Sequence, residues 1–374
     1  MKQLVLAGGG HAHVQVLAVL ATQPLPGVEV TLVTPQPTQW YSGMVPGVIA
    51  GRYAPEEAQI DLAALARRAG VRLVLDAVSA LRAEARQLRL AGGAELAYDA
   101  LSLDTGGEMS RDLIDGARDQ ALFVRPLQRF VQLWPQVESL AARQPGLQVV
   151  LIGGGAAGFE LALAMRRALV ARARVTLVAG NAGLLPGFSR GLRHRALSVL
   201  KSRAITVITD DVVEIEPGQL RLSGGSRLPC DAPVVALGVQ PPSWLAESGL
   251  RRAPDGFIAT GSTLQSVSHP NVFAVGDVAS RVDTPHPRSG VYAVRAAPML
   301  IANLRAWAAG RALGAYRPQR IALALLSCGD GTALASWGPL SAHGAWVWRW
   351  KDRIDRTFVE SFGDGVQLAS SPAQ

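Results

Sequence analysis

The chain has 374 residues, 49% hydrophobic and 18% charged, enough to bury a sizeable core in two or three structural units. Its net charge of +8 invites an anionic partner, yet only Lys2, Lys201 and Lys351 are lysines, the arginines are scattered, and no nucleic-acid recognition motif accompanies them. No uninterrupted apolar run reaches the ~18 residues of a membrane span, so a soluble cytoplasmic protein without a leader is expected.

In chain order, Leu4 to Ala7 reads as a short strand cut off by Gly8-Gly9-Gly10, followed by a helical face of Val14, Val16, Leu17 and Leu20. Val28 to Val33 is the next strand, and the whole stretch has the size of a βαβ unit. Ile60 to Ala69 reads as helix, Val71 to Leu75 and Leu96 to Leu103 as strands, and Leu127 to Ala142 as a helix kinked or broken at Pro135. The opening grammar then returns. Gln148 to Ile152 is a strand, Gly153-Gly154-Gly155 breaks it, Phe159 to Ala171 is helix and Arg174 to Val178 the following strand. Ala204 to Ile208, Leu220 to Leu222, Ala232 to Leu237 and Val272 to Val275 read as strands, and Leu300 to Ala309 as helix. The segment from Ile321 onward gathers Trp337, Trp346, Trp348 and Trp350 and reads as a small C-terminal unit. The fold expected is therefore α/β, with two Rossmann-like dinucleotide-binding domains.

Each glycine turn has a physical reading. In Gly8-Gly9-Gly10-His11-Ala12-His13, Gly8 permits a tight turn and Gly10 lets backbone approach a pyrophosphate at the helix N-terminus. His13 stands where a third glycine would allow close helix packing, which implies a wider gap or a side chain turned sideways. Gly153-Gly154-Gly155-Ala156-Ala157-Gly158 is a complete GxGxxG between strand and helix, with Gly153, Gly155 and Gly158 in the three positions. Glu160 follows on the same helix, either near the nicotinamide end of a nucleotide or as a buried charge satisfied by a backbone amide. The acid that normally holds the adenosine ribose is missing from both units: Thr34-Pro35 and Ala179-Gly180 occupy those places. Threonine can still bond a ribose hydroxyl; alanine cannot.

His269 to Asp277 (HPNVFAVGD) resembles the second flavin-binding motif of the pyridine nucleotide-disulfide oxidoreductase superfamily, in which the aspartate, here Asp277 after Gly276, holds a ribityl hydroxyl of FAD. Tyr98 to Gly106 and Cys230 to Gly238 resemble that family's crossover segments. Within it the chain is similar to the branch of type II NADH dehydrogenases and sulfide:quinone reductases. Through GGGHAHVQVL, YSGMVPG at Tyr41, SGVYAVR at Ser289 and SWGPLSAHGAWVWRWKDRID at Ser336, it most resembles the flavoprotein domain fused to selenide, water dikinase. The resemblance implies an FAD domain from 1–110 and 239–312, an inserted NAD(P)-type domain at 111–238 and a C-terminal unit at 313–374. It implies FAD contacts at Gly8, Gly10, His11, Ala12, Thr34, Pro35, Ser42, Gly43, Met44, Val78, Thr105, Gly106, Gly276, Asp277, Gly290 and Val291, with NAD(P)H as the further nucleotide. Ser289-Gly290-Val291, just before a helix, would stabilise negative charge on a reduced flavin.

No catalytic side chain stands out. Cys230 and Cys328 form no CxxC, so a redox disulfide is not expected; the histidines have no metal spacing, and Gly187 to Gly191 matches GxSxG in the wrong context. The expected activity is electron transfer from NAD(P)H or another small donor, via flavin, to a quinone-like acceptor. Two alternatives stay open: a sulfur- or selenium-handling flavoprotein, and an electron-carrier or interaction module without a working NAD(P)H site. Trp346, Val347, Trp350, Ile354 and Phe358 share one helical face, with Arg349, Asp352 and Arg356 opposite. That face would lie on the inner surface of a membrane, pack on the body, or join a homodimer.

Overall fold

The computed structural model describes residues 1–363. Two five-stranded parallel sheets dominate it. The first runs Val272–Ala274, Ala100–Leu103, Lys2–Ala7, Val28–Thr34, Arg72–Leu75. The second runs Leu122–Phe123, Ala232–Val235, Leu147–Ile152, Ala173–Val178, Thr206–Ile208. In each, the central strand is buried on both faces, which is why its sequence is continuously apolar rather than alternating. Each central strand feeds a glycine turn and a helix, His11–Leu20 and Ala156–Leu169. Each sheet is also followed by a three-stranded antiparallel meander, Val78–Arg82, Gln87–Leu90, Glu95–Ala97 and Val212–Glu216, Gln219–Leu222, Arg227–Pro229. The duplication therefore extends beyond the glycine turns to the topology around them.

Several element expectations shift. Leu96 to Leu103 is two strands, because Tyr98-Asp99 turns the chain from meander to sheet and the Asp99 carboxylate accepts a bond from the Gln3 amide at 2.7 Å. The helix expected from Leu300 begins at Gly290 and runs to Ala308 with Pro298 inside it. Pro135 does not end the helix Leu127–Arg143, since Phe130 and Trp134 anchor the turn around it in the core. The helix at Ile60 starts only at Leu62, because Gln59–Asp61 pairs with Thr38–Trp40.

The C-terminal unit is an antiparallel sheet, Ala324–Ser327, Ala333–Trp337, Leu340–Gly344, and the helix Ala345–Glu360. One apolar cluster joins its Leu326, Cys328 and Leu334 to Met44, Val45 and Ile49 of the Tyr41 segment and to Phe159, Leu163 and Met165 of the second domain's glycine-turn helix. The C-terminal unit thus closes over the junction of both halves.

Candidate functional site

The first glycine turn is held by contacts that admit no side chain. Gly8 has φ +95°, and a Cβ there would lie 2.4 Å from the Asp104 carbonyl oxygen. Asp104, one residue past the strand Ala100–Leu103, is buried, and its Oδ2 accepts bonds from the amides of Ala12 at 2.9 Å and His13 at 3.1 Å. A carboxylate there is favoured by the positive end of the helix His11–Leu20. Burial nevertheless dominates and pushes its pKa up to about 7, against those two amide bonds. A Cβ on Gly10 or on Gly276 would meet this same carboxyl group within 2.5 Å, so Asp104 is the point where both flavin-type motifs touch.

His13 resolves the missing third glycine. Its Nδ1 lies 2.7 Å from the Gly8 carbonyl, to which it donates; Nε2 lies 2.8 Å from the Ser102 hydroxyl and therefore accepts from it. The neutral ring substitutes a hydrogen bond for the close backbone contact, and burial lowers its pKa to about 4. In the second turn the close contact is real: a Cβ on Gly158 would stand 1.8 Å from the Gly153 oxygen. Gly153 has φ +134°, while Gly155 faces open space at the N-cap of its helix.

Around the first turn, Asp277 pairs with Arg125 at 3.3 Å. The ring of His11 lies near both, and its buried Nε2 has no hydrogen-bond partner among the described residues. Its pKa is lowered to about 4 by burial, with Asp277 opposing and Arg125 adding. Thr34 and Pro35 end the strand Val28–Thr34, with the Thr34 hydroxyl bonded to the Gln36 carbonyl at 3.3 Å; Val78 opens the meander just past the neighbouring strand. Thr105 and Gly106 continue from Asp104, Gly106 with φ +73° beside Arg125. Gly290 and Val291 lie inside the first turn of their helix, with Ser289 as N-cap, rather than before it. Two residues past the end of each crossover segment, Glu108 and Gln240 form an antiparallel bridge, with bonds of 2.9 and 2.7 Å.

Ser42, Gly43 and Met44 lead into the short helix Val45–Ile49, and here the sequence reading missed the partners. Lys351, buried on the C-terminal helix, donates to the Gly43 carbonyl at 2.8 Å and to Asp355 Oδ2 at 2.6 Å; the Tyr41 hydroxyl donates to Asp355 Oδ1 at 3.2 Å. Tyr41 also packs on His11 and Phe358, linking this cluster to the first turn. Glu160 reaches the same region from the second domain. Its Oε1 accepts from the Ser327 amide at 2.7 Å, and burial raises its pKa to about 7 against the pull of Lys351. Of the two readings of Glu160, the bond to a backbone amide is present. The only sequence signal for Lys351 and Asp355 was their i, i+4 spacing, which describes a solvated face equally well.

The C-terminal helix therefore packs only part of its apolar stripe, burying Val347 and setting Phe358 on Tyr41. Val347, Lys351 and Asp355 face inward, and the polar side packs too, through Asp352 to Tyr53 at 2.7 Å and Arg356 to Glu57 at 2.6 Å. Trp346, Trp350 and Ile354 stay exposed, beside an open groove of about 460 Å³ lined by Leu323, Trp337, Leu340 and Trp350. Among the described residues no helix is long and apolar enough to cross a membrane. Cys230 and Cys328 are free and buried in different apolar clusters, and burial pushes each thiol up to about 12, which works against thiolate formation.

Two parallel sheets, each with a glycine turn at a helix N-terminus, define a protein built from two dinucleotide-binding folds. The chain belongs to the pyridine nucleotide-disulphide oxidoreductase family, whose model matches residues 2–297. Among relatives, it is 26% identical over 212 residues to the mitochondrial internal alternative NAD(P)H-ubiquinone oxidoreductase A1 of Arabidopsis thaliana, covering 51% of this chain and 41% of that one. It is 33% identical over 217 residues to the ferredoxin–NAD(+) reductase component of the biphenyl dioxygenase system of Paraburkholderia xenovorans (strain LB400), covering 54% and 49%. The matched regions thus span less than half of either relative. Its fold matches the sulfide:quinone oxidoreductase of Aquifex aeolicus with a TM-score of 0.82 at 17% identity, over 99% of this chain and 93% of that one.

Proposed function

We propose that the chain is an FAD-dependent oxidoreductase that takes electrons from NAD(P)H and delivers them to a quinone-like acceptor. The observation that carries this is the convergence of three segments on one place: the first glycine turn, the Tyr41 to Met44 segment, and the buried Lys351 and Asp355 of the C-terminal helix. Domains at 1–110 with 239–312, 111–238 and 313–374 fit this reading. FAD, when bound, accepts a hydride and passes electrons onward.

The chain's own residues supply binding and proton handling. At the N-terminus of the helix His11–Leu20 the His11 amide would suit a pyrophosphate, since Asp104 already takes the Ala12 and His13 amides and fills the space beside Gly8 and Gly10. Asp277 suits a diol, with Arg125 balancing its charge. Ser42, Gly43 and Met44, braced by Lys351, would border the reactive ring, and the amides of Gly290 and Val291 would face developing negative charge. Reducing a quinone to a quinol consumes two electrons and two protons, whereas a hydride brings two electrons and one proton. Lys351 and Glu160 are suited to furnish the second, Glu160 with a pKa near 7.

The exposed Trp346, Trp350, Ile354, Trp337 and Leu340, flanked by Arg349 and Arg353, would rest on an anionic membrane from which a lipophilic acceptor is drawn. Co-sedimentation with anionic vesicles that is lost on Trp346→Ser/Trp350→Ser supports this; a concentration-dependent dimer without vesicle binding assigns the patch to self-association instead. The deciding experiment for the activity is anaerobic mixing of the flavin-loaded protein with NADH and with NADPH while following the oxidised-flavin absorbance. Rapid bleaching followed by reoxidation with a soluble quinone is the expected result. Bleaching by dithionite alone overturns the nucleotide half of the proposal and favours a carrier module.

A further inference from the structure

The second nucleotide unit lacks the acid at the end of its second strand, where Ala179 stands, yet the structure brings a carboxylate there from elsewhere in the chain. The strand Ala173–Val178 is flanked by Thr206–Ile208, and the Ala179 amide extends the pairing by donating to the Ile208 carbonyl at 2.8 Å. Three residues past that neighbouring strand, Asp211 turns back over the gap. Its Oδ1 accepts from the Asn181 amide at 2.9 Å, its Oδ2 accepts from the Asn181 side-chain amide, and a Cβ on Gly180 would lie 2.9 Å from Oδ1. Ala179 in turn abuts the glycine turn: a Cβ on Gly154 would lie 2.5 Å from the Ala179 oxygen. The carboxylate therefore stands beside the residue that normally carries it, on the same carboxyl edge of the sheet as the turn.

We propose that Asp211, positioned by Asn181, accepts the adenosine ribose hydroxyls in the second unit and selects NAD(H) over NADP(H). The inference rests on the reading that this unit holds a pyridine nucleotide. An ionised carboxylate offers about four acceptor sites. Asn181 uses two, which leaves two for the vicinal 2′- and 3′-hydroxyls. A 2′-phosphate would replace one of those donors with negative charge facing Asp211, with Asp210 as the adjacent acid. Asp210 is turned the other way, its carboxylate taken up by Ser223 and the Gly224 amide, so Asp211 is the one aimed at Gly180. Both Asp211 and Asn181 are exposed, which leaves the contact open to a ligand and makes replacement tolerable for folding.

The test measures dissociation constants of ADP-ribose and its 2′-phosphate by calorimetry on the flavin-loaded protein, in wild type and in Asp211→Asn and Asp211→Ser. Wild type should prefer ADP-ribose by about tenfold or more, and each variant should lose about 10- to 100-fold for ADP-ribose, the range for a charge-assisted bond. The 2′-phosphate should bind the variants as well as wild type or better. Unchanged preference in variants with wild-type melting curves overturns the inference while leaving nucleotide binding intact. A wild type that prefers the 2′-phosphate overturns it without reference to any variant. Binding of neither ligand overturns this inference and the nucleotide reading together.

Discussion

Lys351→Met is the perturbation with the largest expected consequence outside the glycine turns. The Lys351 and Asp355 side chains are each only 6% exposed, with their charged atoms 2.6 Å apart. Removing one partner leaves the other charge buried, a loss of about 3–5 kcal/mol, part of it from the freed Gly43 carbonyl. Lys351→Met/Asp355→Leu should recover much of that, because apolar replacement of both charges removes the desolvation penalty together with the attraction. Recovery stays incomplete because the Tyr41 hydroxyl then lacks its acceptor. The assay is urea unfolding of wild type, both single variants and the double variant, with a coupling energy of at least about 2 kcal/mol expected from the cycle. Since Lys351 opposes the burial that holds the Glu160 pKa near 7, the single variant should also shift the Glu160 titration upward. A Lys351→Met variant within about 0.5 kcal/mol of wild type, or strict additivity in the cycle, would refute the buried pair.

Asp104→Asn should remove a pH dependence with a definite sign. The folded carboxyl binds its proton more tightly than the unfolded one, so its contribution is full below about pH 4 and lost as pH rises through about 7. His11 and His13, lowered to about 4, act in the opposite sense, gaining stability for the fold between about pH 4 and 6.5. Unfolding of the apoprotein across this range should show the wild type's advantage over the variant shrinking as pH rises, and a pH-independent difference counts against the assignment. Gly158→Ala forces the helix Ala156–Leu169 away from Gly153 and should lower the melting temperature by the equivalent of about 1–3 kcal/mol or more; an unchanged melting curve contradicts the close contact. Cys230→Ser/Cys328→Ser should keep flavin reduction by nucleotide near the wild-type rate in stopped flow, whereas abolished turnover restores a thiol mechanism.

The two nucleotide units were legible because their information is local. A continuous apolar strand, a glycine turn and an amphipathic helix occupy adjacent residues, and crowding at Gly8 and Gly158 leaves few other sequences that can make the turn. The segment ending in Gly276-Asp277 was legible through its resemblance to the family's second flavin motif, and the structure makes it an apolar strand followed by a glycine of φ +67°.

What tertiary structure alone decided are contacts between residues far apart in the chain. Asp104 bridges Gly10 and Gly276, Lys351 reaches Gly43 across 308 positions, and Asp211 takes the place beside Ala179 from the neighbouring strand. The C-terminal helix makes the same point: its apolar periodicity marks Trp346, Val347, Trp350, Ile354 and Phe358, yet packing buries Val347 together with the polar Lys351 and Asp355, sets Phe358 on Tyr41, and leaves Trp346, Trp350 and Ile354 exposed. Periodicity records where apolar side chains lie around a helix. Which face is buried depends on the partner surface, here a backbone carbonyl and a tyrosine hydroxyl able to satisfy a buried ion pair.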